Sequence, residues 1–195
     1  MSKKYSNTTA DYLSWDEMLN LVRKLFNDGK FSMSLLICLG SFWGLRISDL
    51  LMLHWEQILN QEQITIIENK TKKVRVIPIN PNLQKHIIEC YQKIKPLTIK
   101  EHVFRSQKGC PYSVQRVNVI FKEIKAKYNL NVENFSTHSN RKTFGRQVLK
   151  VSGENKEMGM LKLMHLFNHS NMNITKRYLN LRSEELKEVY SNLTF

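Results

Sequence analysis

Cysteine is scarce in this sequence, and long apolar runs are missing. The three cysteines, Cys38, Cys90 and Cys110, are far apart, odd in number and without metal-ligand spacing. We therefore expect reduced thiols rather than a disulfide framework or a cysteine metal site. No apolar stretch of signal-peptide length follows Met1, and the longest apolar region, residues 31–43, is too short to span a bilayer. These absences predict a cytoplasmic protein.

Acidic residues are also scarce. Asp and Glu number 17 against 30 Lys and Arg, which gives a formal net charge of +13. Such an excess on a small protein favours a polyanionic partner, usually nucleic acid, although a merely well-solvated surface is the alternative on charge alone. With 195 residues, 42% of them hydrophobic, and no internal repeat or long linker, the chain is expected to form one domain over residues 1–195.

The hydrophobic periodicity predicts a mainly α (α+β) fold with one small antiparallel β-sheet. Ser14 and Glu17 have the spacing of a capping box that opens a first helix, and Gly44 ends a second, almost wholly apolar helix. Two β-rich runs flank a basic turn and predict a hairpin over residues 63–78. Further helices are predicted at about 83–94, 114–124, 137–150, 154–167 and 174–179 and after Ser183, with a short strand near 103–104.

Four motifs carry residues suited to chemistry on a phosphate. The first, residues 44–50 (GLRISDL), places Arg46 just after a helix end, and Asp49, three residues on, is positioned to hold it. A structural Arg–Asp pair that ties two helices together is the alternative.

The second motif, residues 137–144, brings His138 and Arg141 onto one helical face and adds Lys142. A guanidinium binds a phosphate through two parallel hydrogen bonds and stays charged at any working pH. An imidazole beside it can move protons near neutrality. A capping histidine beside a surface arginine is the alternative.

The third motif sets His169 nine positions before Tyr178. A tyrosine hydroxyl is a weak nucleophile, which a proton acceptor and adjacent cations would activate. Tyr178 could equally be a packing residue with a polar tip. His165 and His169, four residues apart, also have a spacing that can bind zinc, but no glutamate lies between them and no third ligand is evident.

The fourth motif is the hairpin tip, where Lys70, Lys72, Lys73 and Arg75 place four cations within six residues. Such a tip can reach into a DNA groove or along its backbone. A lysine there could also give a proton to a departing sugar oxygen. A solvated charged turn is the alternative.

In this order and in one basic chain, the motifs resemble the catalytic domain of the tyrosine recombinases, also called phage integrases, over about residues 14–190. The matches are the arginine box 44–50, a hairpin lysine eight residues before Pro78, the His-x-x-Arg box 138–141 and the closing box 169–178. The resemblance implies a site-specific recombinase that cuts and rejoins DNA through a 3′-phosphotyrosyl intermediate. It also implies that no metal or nucleotide cofactor is required.

The resemblance assigns the groups around the scissile phosphate. Tyr178 is the nucleophile, Arg46 and Arg141 clamp the non-bridging oxygens, and His169 adds a hydrogen bond to the same phosphate. His138 is the implied acceptor of the tyrosine proton.

The remaining assignments concern the leaving group, the DNA backbone and the partners. Lys70 is the implied general acid for the leaving 5′ oxygen, and Asp49 a support for Arg46. Further contacts to DNA are expected from Lys72, Lys73, Arg75 and Lys142. The implied partner is double-stranded DNA, on which protomers assemble as a tetramer, with a monomer when free and no membrane.

The chain departs from the family pattern in a few places. Asn140 stands where an apolar residue is usual, and Asn168 replaces the common glycine before the histidine. Only about a dozen residues precede the first helix, so no N-terminal core-binding domain is expected. The segment 182–195 is not basic and is expected to pack on its own core or on a neighbouring protomer.

Three other functions fit part of the sequence. A non-catalytic DNA-binding regulator that keeps the recombinase fold would share the charge and the helices. A metal-dependent hydrolase is suggested only by His165 and His169. A type IB topoisomerase would use the same chemistry and differ mainly in its partners.

Overall fold

The structure, a computed structural model, describes residues 10–181 and 190–191. Contacts between Cα atoms divide the chain into two compact units, residues 1–144 and 145–195, so the single domain expected over residues 1–195 stays a prediction. None of the helices in the described residues combines the length and the apolar character that a membrane span requires. The helix predicted after Ser183 falls almost wholly outside these residues.

The fold is mainly helical with one two-stranded antiparallel sheet, as predicted. The first unit contains α1 (Trp15–Asn27), α2 (Phe31–Trp43), α3 (Ile47–Leu50), β1 (Gln63–Ile67), β2 (Val74–Pro78), α4 (Pro81–Ile94) and α5 (Val114–Lys127). Helix α6 (Thr137–Val151) contains the unit boundary, and the second unit continues with α7 (Lys156–Phe167) and α8 (Met172–Tyr178).

The helices begin at polar residues that satisfy their first amide groups. Ser14 Oγ accepts from the Glu17 amide at 3.3 Å, and the Glu17 carboxylate accepts from the Ser14 amide at 2.9 Å. This confirms the predicted capping box. The Asn80 side chain accepts from the Leu83 amide and caps α4, and the Ser113 side chain accepts from the Arg116 amide and caps α5. Each cap pairs an amide that no carbonyl of the same helix can reach.

Helix α2 lies at the centre of the core of the first unit. Its residues 33–41 are all buried, and α1, α3 and α4 pack against it. A helix that is apolar all round needs protein on every side, which is why this sequence places α2 inside. Full burial of a side chain such as Leu35 or Ile37 contributes about 1.5–3 kcal/mol.

Gly44 ends α2 in the left-handed region, with φ 58°. Gly44→Ala is expected to destabilise the protein by about 2–5 kcal/mol, because an L-residue is strained at this φ and its Cβ would overlap the ring of Phe144. Gly29→Ala is the matched control, since Gly29 has φ 72° but no atom within 4 Å of its Cβ position. Equal losses for the two variants in denaturant unfolding would exclude the Phe144 overlap as a cause.

The predicted hairpin is present in the first unit. Strands β1 and β2 pair antiparallel, with Ile64 opposite Ile77 and Ile67 opposite Val74. The first pair is buried and the second exposed, so one face of the hairpin lies against the core. The strand predicted near residues 103–104 is wrong, because that segment has only isolated bridges on either side of it.

The second unit is built around the end of α7 and the end of α8. Phe167 and Leu179 are fully buried there, and Gly145 lies so close to them that a Cβ at this position would be 2.6 Å from a Leu179 methyl group. Arg146 donates through Nε and Nη2 to the Leu179 carbonyl, at 3.0 and 2.5 Å. The carbonyl that follows α8 is thereby held in place.

Candidate active site

Arg46 immediately precedes α3, at the point where the chain leaves the buried helix α2. Its Nη1 donates to Glu68 Oε2 at 2.6 Å, and the Arg46 side chain is 21% exposed. The guanidinium is therefore fixed by a carboxylate, and the side chain that carries it stays partly exposed. Charge-assisted pairs of this kind are short and hold a planar guanidinium in one orientation.

The carboxylate bonded to Arg46 is not Asp49, so the support of Arg46 by Asp49 stays a prediction. Asp49 accepts instead from the backbone amide of Asn69, with 2.9 Å between that nitrogen and Oδ1, and its Oδ2 is buried without a hydrogen bond. Asp49 thus holds the first residues of the hairpin turn. The carboxylate on Arg46 comes from Glu68, 22 residues away in sequence, and helical spacing could not identify it.

Two more arginines bind the carbonyl end of α2. Arg75 Nη2 donates to the Trp43 carbonyl at 2.7 Å, and Arg141 Nη1 donates to the Gly44 carbonyl at 2.5 Å. The last carbonyls of a helix have no partner within it and carry its negative dipole, so cations are favoured there. The end of α2 therefore brings Arg141, from the second motif, close to Arg46, from the first.

Arg75 was expected to contact DNA, yet its side chain turns inward and is only 13% exposed. The Trp43 carbonyl and, at 3.8 Å, the Glu68 carboxylate are its partners. This position is better suited to holding α2 and the hairpin together than to reaching a groove. A direct contact of Arg75 with DNA stays an untested prediction.

Glu68 is a buried carboxylate, 3% exposed, among these arginines. Burial raises its pKa, but hydrogen bonds from Thr71 and Arg46 and the charges of Arg46 and Arg141 outweigh that effect, and the pKa of Glu68 is lowered. Glu68 is therefore ionised at neutral pH. The guanidinium groups of Arg46 and Arg75 pair with Glu68, and the charge of Arg141 also acts on this carboxylate.

The hairpin turn carries the predicted lysines on the surface. Lys70, Lys72 and Lys73 are exposed, and Lys72 has a positive φ of 57°. The Lys72 amide donates to the Glu68 carbonyl at 2.8 Å, and the Glu68 amide donates to the Lys73 carbonyl at 3.0 Å. The turn is closed by these two bonds, with its ammonium groups outside.

His138 lies in the first turn of α6 and is exposed. Loss of hydration, followed by the positive charges of Arg141 and Lys142, lowers its pKa below the ordinary 6.5. The imidazole is therefore neutral near pH 7 and able to accept a proton. Lys142 itself is only 3% exposed, and the direct DNA contact predicted for it stays a prediction.

We expect the His138 imidazole to titrate below pH 6.5 in NMR spectra assigned with His138→Gln. Because its folded pKa lies below its unfolded pKa, the unfolded chain binds more protons, and His138 reduces folding stability as pH falls below about 6.5. Lys142→Met removes one neighbouring cation and should raise the midpoint, whereas Lys150→Met, an exposed position on the same helix, should not. A wild-type midpoint above pH 6.5 would contradict the lowered pKa.

The second unit places His169 and Tyr178 side by side. Their rings meet edge to face with 5.6 Å between centroids, and Phe167 contacts both, at 5.5 Å from His169 and 5.4 Å from Tyr178. The Nδ1 atom of His169 lies 3.0 Å from the hydroxyl of Thr175, which is fully buried. Two rings and one hydroxyl therefore fix the orientation of the imidazole beside the half-buried tyrosine.

The two departures from the family pattern have structural explanations. Asn168 ends α7 in the left-handed region with φ 54°, a conformation that asparagine tolerates better than most residues, so it can replace glycine. Asn140 is buried against Gly40, where a Cβ would lie 2.8 Å from Asn140 Nδ2. A glycine on α2 therefore makes room for this amide, whose Nδ2 is buried without a hydrogen-bond partner.

The predicted site residues thus fall into two described groups. Within the first unit, the structure brings together Arg46, Asp49, Arg75, Arg141 and the hairpin that carries Lys70. Within the second, it brings together His169 and Tyr178. That the two groups surround one phosphate stays a prediction. No cluster of three potential metal ligands occurs among the residues that the structure describes.

Sequence reasoning missed Glu68 and Phe167. Glu68 ends a β-rich run and looks like an ordinary turn residue, although a lone acid beside four cations was an available signal. Phe167 is the last residue of a helix predicted over 154–167, and nothing in the helical period shows that its ring contacts both His169 and Tyr178.

A mainly helical fold with one hairpin, an arginine cluster and a histidine–tyrosine pair is typical of catalytic domains that break and rejoin DNA through tyrosine. The chain belongs to the phage integrase family, whose sequence profile matches residues 12–185. This is a family of site-specific tyrosine recombinases, and the resemblance found in the motifs is confirmed.

Two relatives illustrate the match. The probable integrase/recombinase YoeC of Bacillus subtilis is 31% identical over 148 residues, which cover 75% of this chain and 76% of YoeC. The tyrosine recombinase XerC of Caldanaerobacter subterraneus is 26% identical over 190 residues, 96% of this chain and 52% of that protein. The chain therefore spans about half the length of this XerC.

The solved structures confirm the fold. XerA recombinase superposes with a TM-score of 0.69 at 18% identity, over 97% of this chain and 68% of that one. The catalytic core of lambda integrase superposes with a TM-score of 0.59 at 21% identity, over 82% of this chain and 91% of that one.

Proposed function

We propose that this chain is a site-specific recombinase that cuts and rejoins double-stranded DNA through a 3′-phosphotyrosyl intermediate. The Tyr178 oxygen attacks the scissile phosphorus, a phosphorus–tyrosine bond forms and the bond to the 5′ oxygen breaks. His138 accepts the phenol proton, and Lys70 gives a proton to the leaving oxygen. No oxidant, nucleotide or metal enters the balance, and reversal of the step by a new 5′-hydroxyl rejoins the strand.

The ring contact between His169 and Tyr178 carries this proposal. It sets an imidazole that could bind a phosphate against the ring of the tyrosine whose hydroxyl would attack it. The arginine cluster supports the same function, because fixed positive charge at a phosphate stabilises the transition state. Apart from this stabilisation, phosphoryl transfer requires little chemistry from the protein.

DNA and further copies of this chain are the proposed partners. Lambda integrase has been seen as a tetramer bound to a Holliday junction. We propose the same assembly on synapsed DNA here, with a monomer in the absence of DNA. The cytoplasmic location predicted from the sequence stays a prediction.

Suicide-substrate trapping tests the proposal. Nicked duplexes that release a short 5′-hydroxyl fragment should leave a detergent-stable protein–DNA adduct, with the nucleotide on the peptide that contains Tyr178. Binding without any adduct would instead identify a non-catalytic DNA-binding regulator. Capture that persists in chelator excludes the metal-dependent hydrolase, and relaxation by one protomer without a specific site would favour a topoisomerase.

A further inference from the structure

Glu68 joins the arginine of the first motif to the hairpin of the fourth. Its Oε2 accepts from Arg46 Nη1 at 2.6 Å and from Thr71 Oγ1 at 2.8 Å. Its amide and carbonyl also form the two backbone bonds that close the turn, to Lys73 and Lys72. The same residue thus holds a guanidinium through its side chain and the loop bearing Lys70 through its backbone.

The burial of Glu68 makes this connection rigid. The side chain is 5% exposed, and a carboxylate that is nearly excluded from water is stable there only while its cationic partners stay in place. Arg46, by contrast, has 21% of its side chain exposed. The pair therefore joins a buried carboxylate to a partly exposed side chain, which suits the orientation of a guanidinium toward a ligand.

Asp49 strengthens the same connection from α3. Its Oδ1 accepts from the Asn69 amide, the residue next to Glu68 in the turn. Two buried carboxylates therefore tie the start of the turn to the segment that carries Arg46. Movement of the turn relative to Arg46 would break charge-assisted or buried hydrogen bonds at both.

We propose that Glu68 is a positioning residue that couples Arg46 to the hairpin, so that the phosphate clamp and the proton donor Lys70 are set in place together. This inference rests on the proposed function. Glu68 itself touches no reacting atom. Its loss should leave DNA binding nearly unchanged and slow the chemical step, because misplacement by about 1 Å can cost about 100-fold.

A DNA substrate with a sulfur leaving group distinguishes the positioning role of Glu68 from a merely structural role. In DNA with a 5′-bridging phosphorothiolate, the departing thiolate needs no proton, so a misplaced general acid no longer limits cleavage. Glu68→Gln should cleave ordinary DNA roughly 10- to 100-fold more slowly than wild type. On the sulfur-substituted duplex, the share of that loss that comes from the misplaced proton donor should disappear, and the share that comes from Arg46 should remain. Thr71→Val, which disturbs only the hairpin side, should recover almost fully.

Two controls make the comparison specific. Lys70→Ala should also recover on the phosphorothiolate, which verifies that the assay reports on the proton donor. Glu101→Gln breaks a 2.7 Å pair with Arg105 elsewhere in the first unit and should cleave both substrates like wild type. Wild-type cleavage by Glu68→Gln, or an equal loss on both substrates, overturns the coupling while leaving the proposed function intact.

Hydrogen exchange of the backbone amides tests the coupling through Glu68 even if the wild-type protein captures no DNA. The amides of Asn69 and Lys72, which donate to Asp49 and to the Glu68 carbonyl, should exchange faster in Glu68→Gln than in Glu101→Gln. Unchanged exchange at both amides would overturn the proposal on structural grounds alone.

Discussion

Replacement of Tyr178 by phenylalanine is expected to abolish covalent capture of DNA and to leave DNA binding intact. The substitution removes only the hydroxyl that would attack phosphorus. The ring remains, and with it the edge contacts to Phe167 and His169 that hold this part of α8. The adduct should therefore disappear on nicked suicide duplexes while the mobility-shift affinity at the same salt concentration stays within about twofold.

Tyr128→Phe is the matched control for this experiment. It also removes one tyrosine hydroxyl, which donates to Asp28 at 2.8 Å outside both groups of site residues. This variant should capture DNA at the wild-type rate. A Tyr178→Phe protein that still became trapped would show that another residue is the nucleophile, and peptide mapping of the adduct would identify it.

The parts of the fold that sequence predicted best are those set by local chemistry. The capping box at Ser14, the end of α2 at Gly44 and the hairpin pattern each depend on residues a few positions apart. That His169 and Tyr178 lie close together could also be predicted from the sequence, because only nine positions and one turn separate them. Their roles in catalysis remain predictions.

The parts that sequence could not supply are long-range pairings. Asp49 is the nearest acid to Arg46 along the chain, but the short α3 turns it toward the Asn69 amide, and Glu68 arrives from the hairpin instead. Arg75 was predicted to contact DNA because it lies within six residues of the hairpin-tip lysines Lys70, Lys72 and Lys73. Its strand carries it back to the Trp43 carbonyl, a partner 32 residues away.

Arg46→Ala and Arg141→Ala are each expected to slow cleavage by about 100- to 1000-fold, or about 2.7–4 kcal/mol, as is typical when one electrostatic donor to a transition state is lost. A guanidinium offers two parallel donors to the non-bridging oxygens, so the loss of one arginine removes both donors at once. Single-turnover rates on the suicide duplex measure the effect. Arg105→Ala, which removes a cation paired with Glu101, should leave the rate unchanged.

The two arginines should differ in what they do to folding. Arg141 is buried and donates to the Gly44 carbonyl, so its loss leaves a helix-end carbonyl unpaired and should lower the free energy of unfolding by about 1–3 kcal/mol. Arg46 is more exposed, and Glu68 keeps Thr71 and Arg75 as partners after Arg46→Ala, so a smaller loss is expected. Denaturant unfolding separates the two effects from catalysis. Wild-type cleavage rates in both folded variants would remove the phosphate clamp from the mechanism.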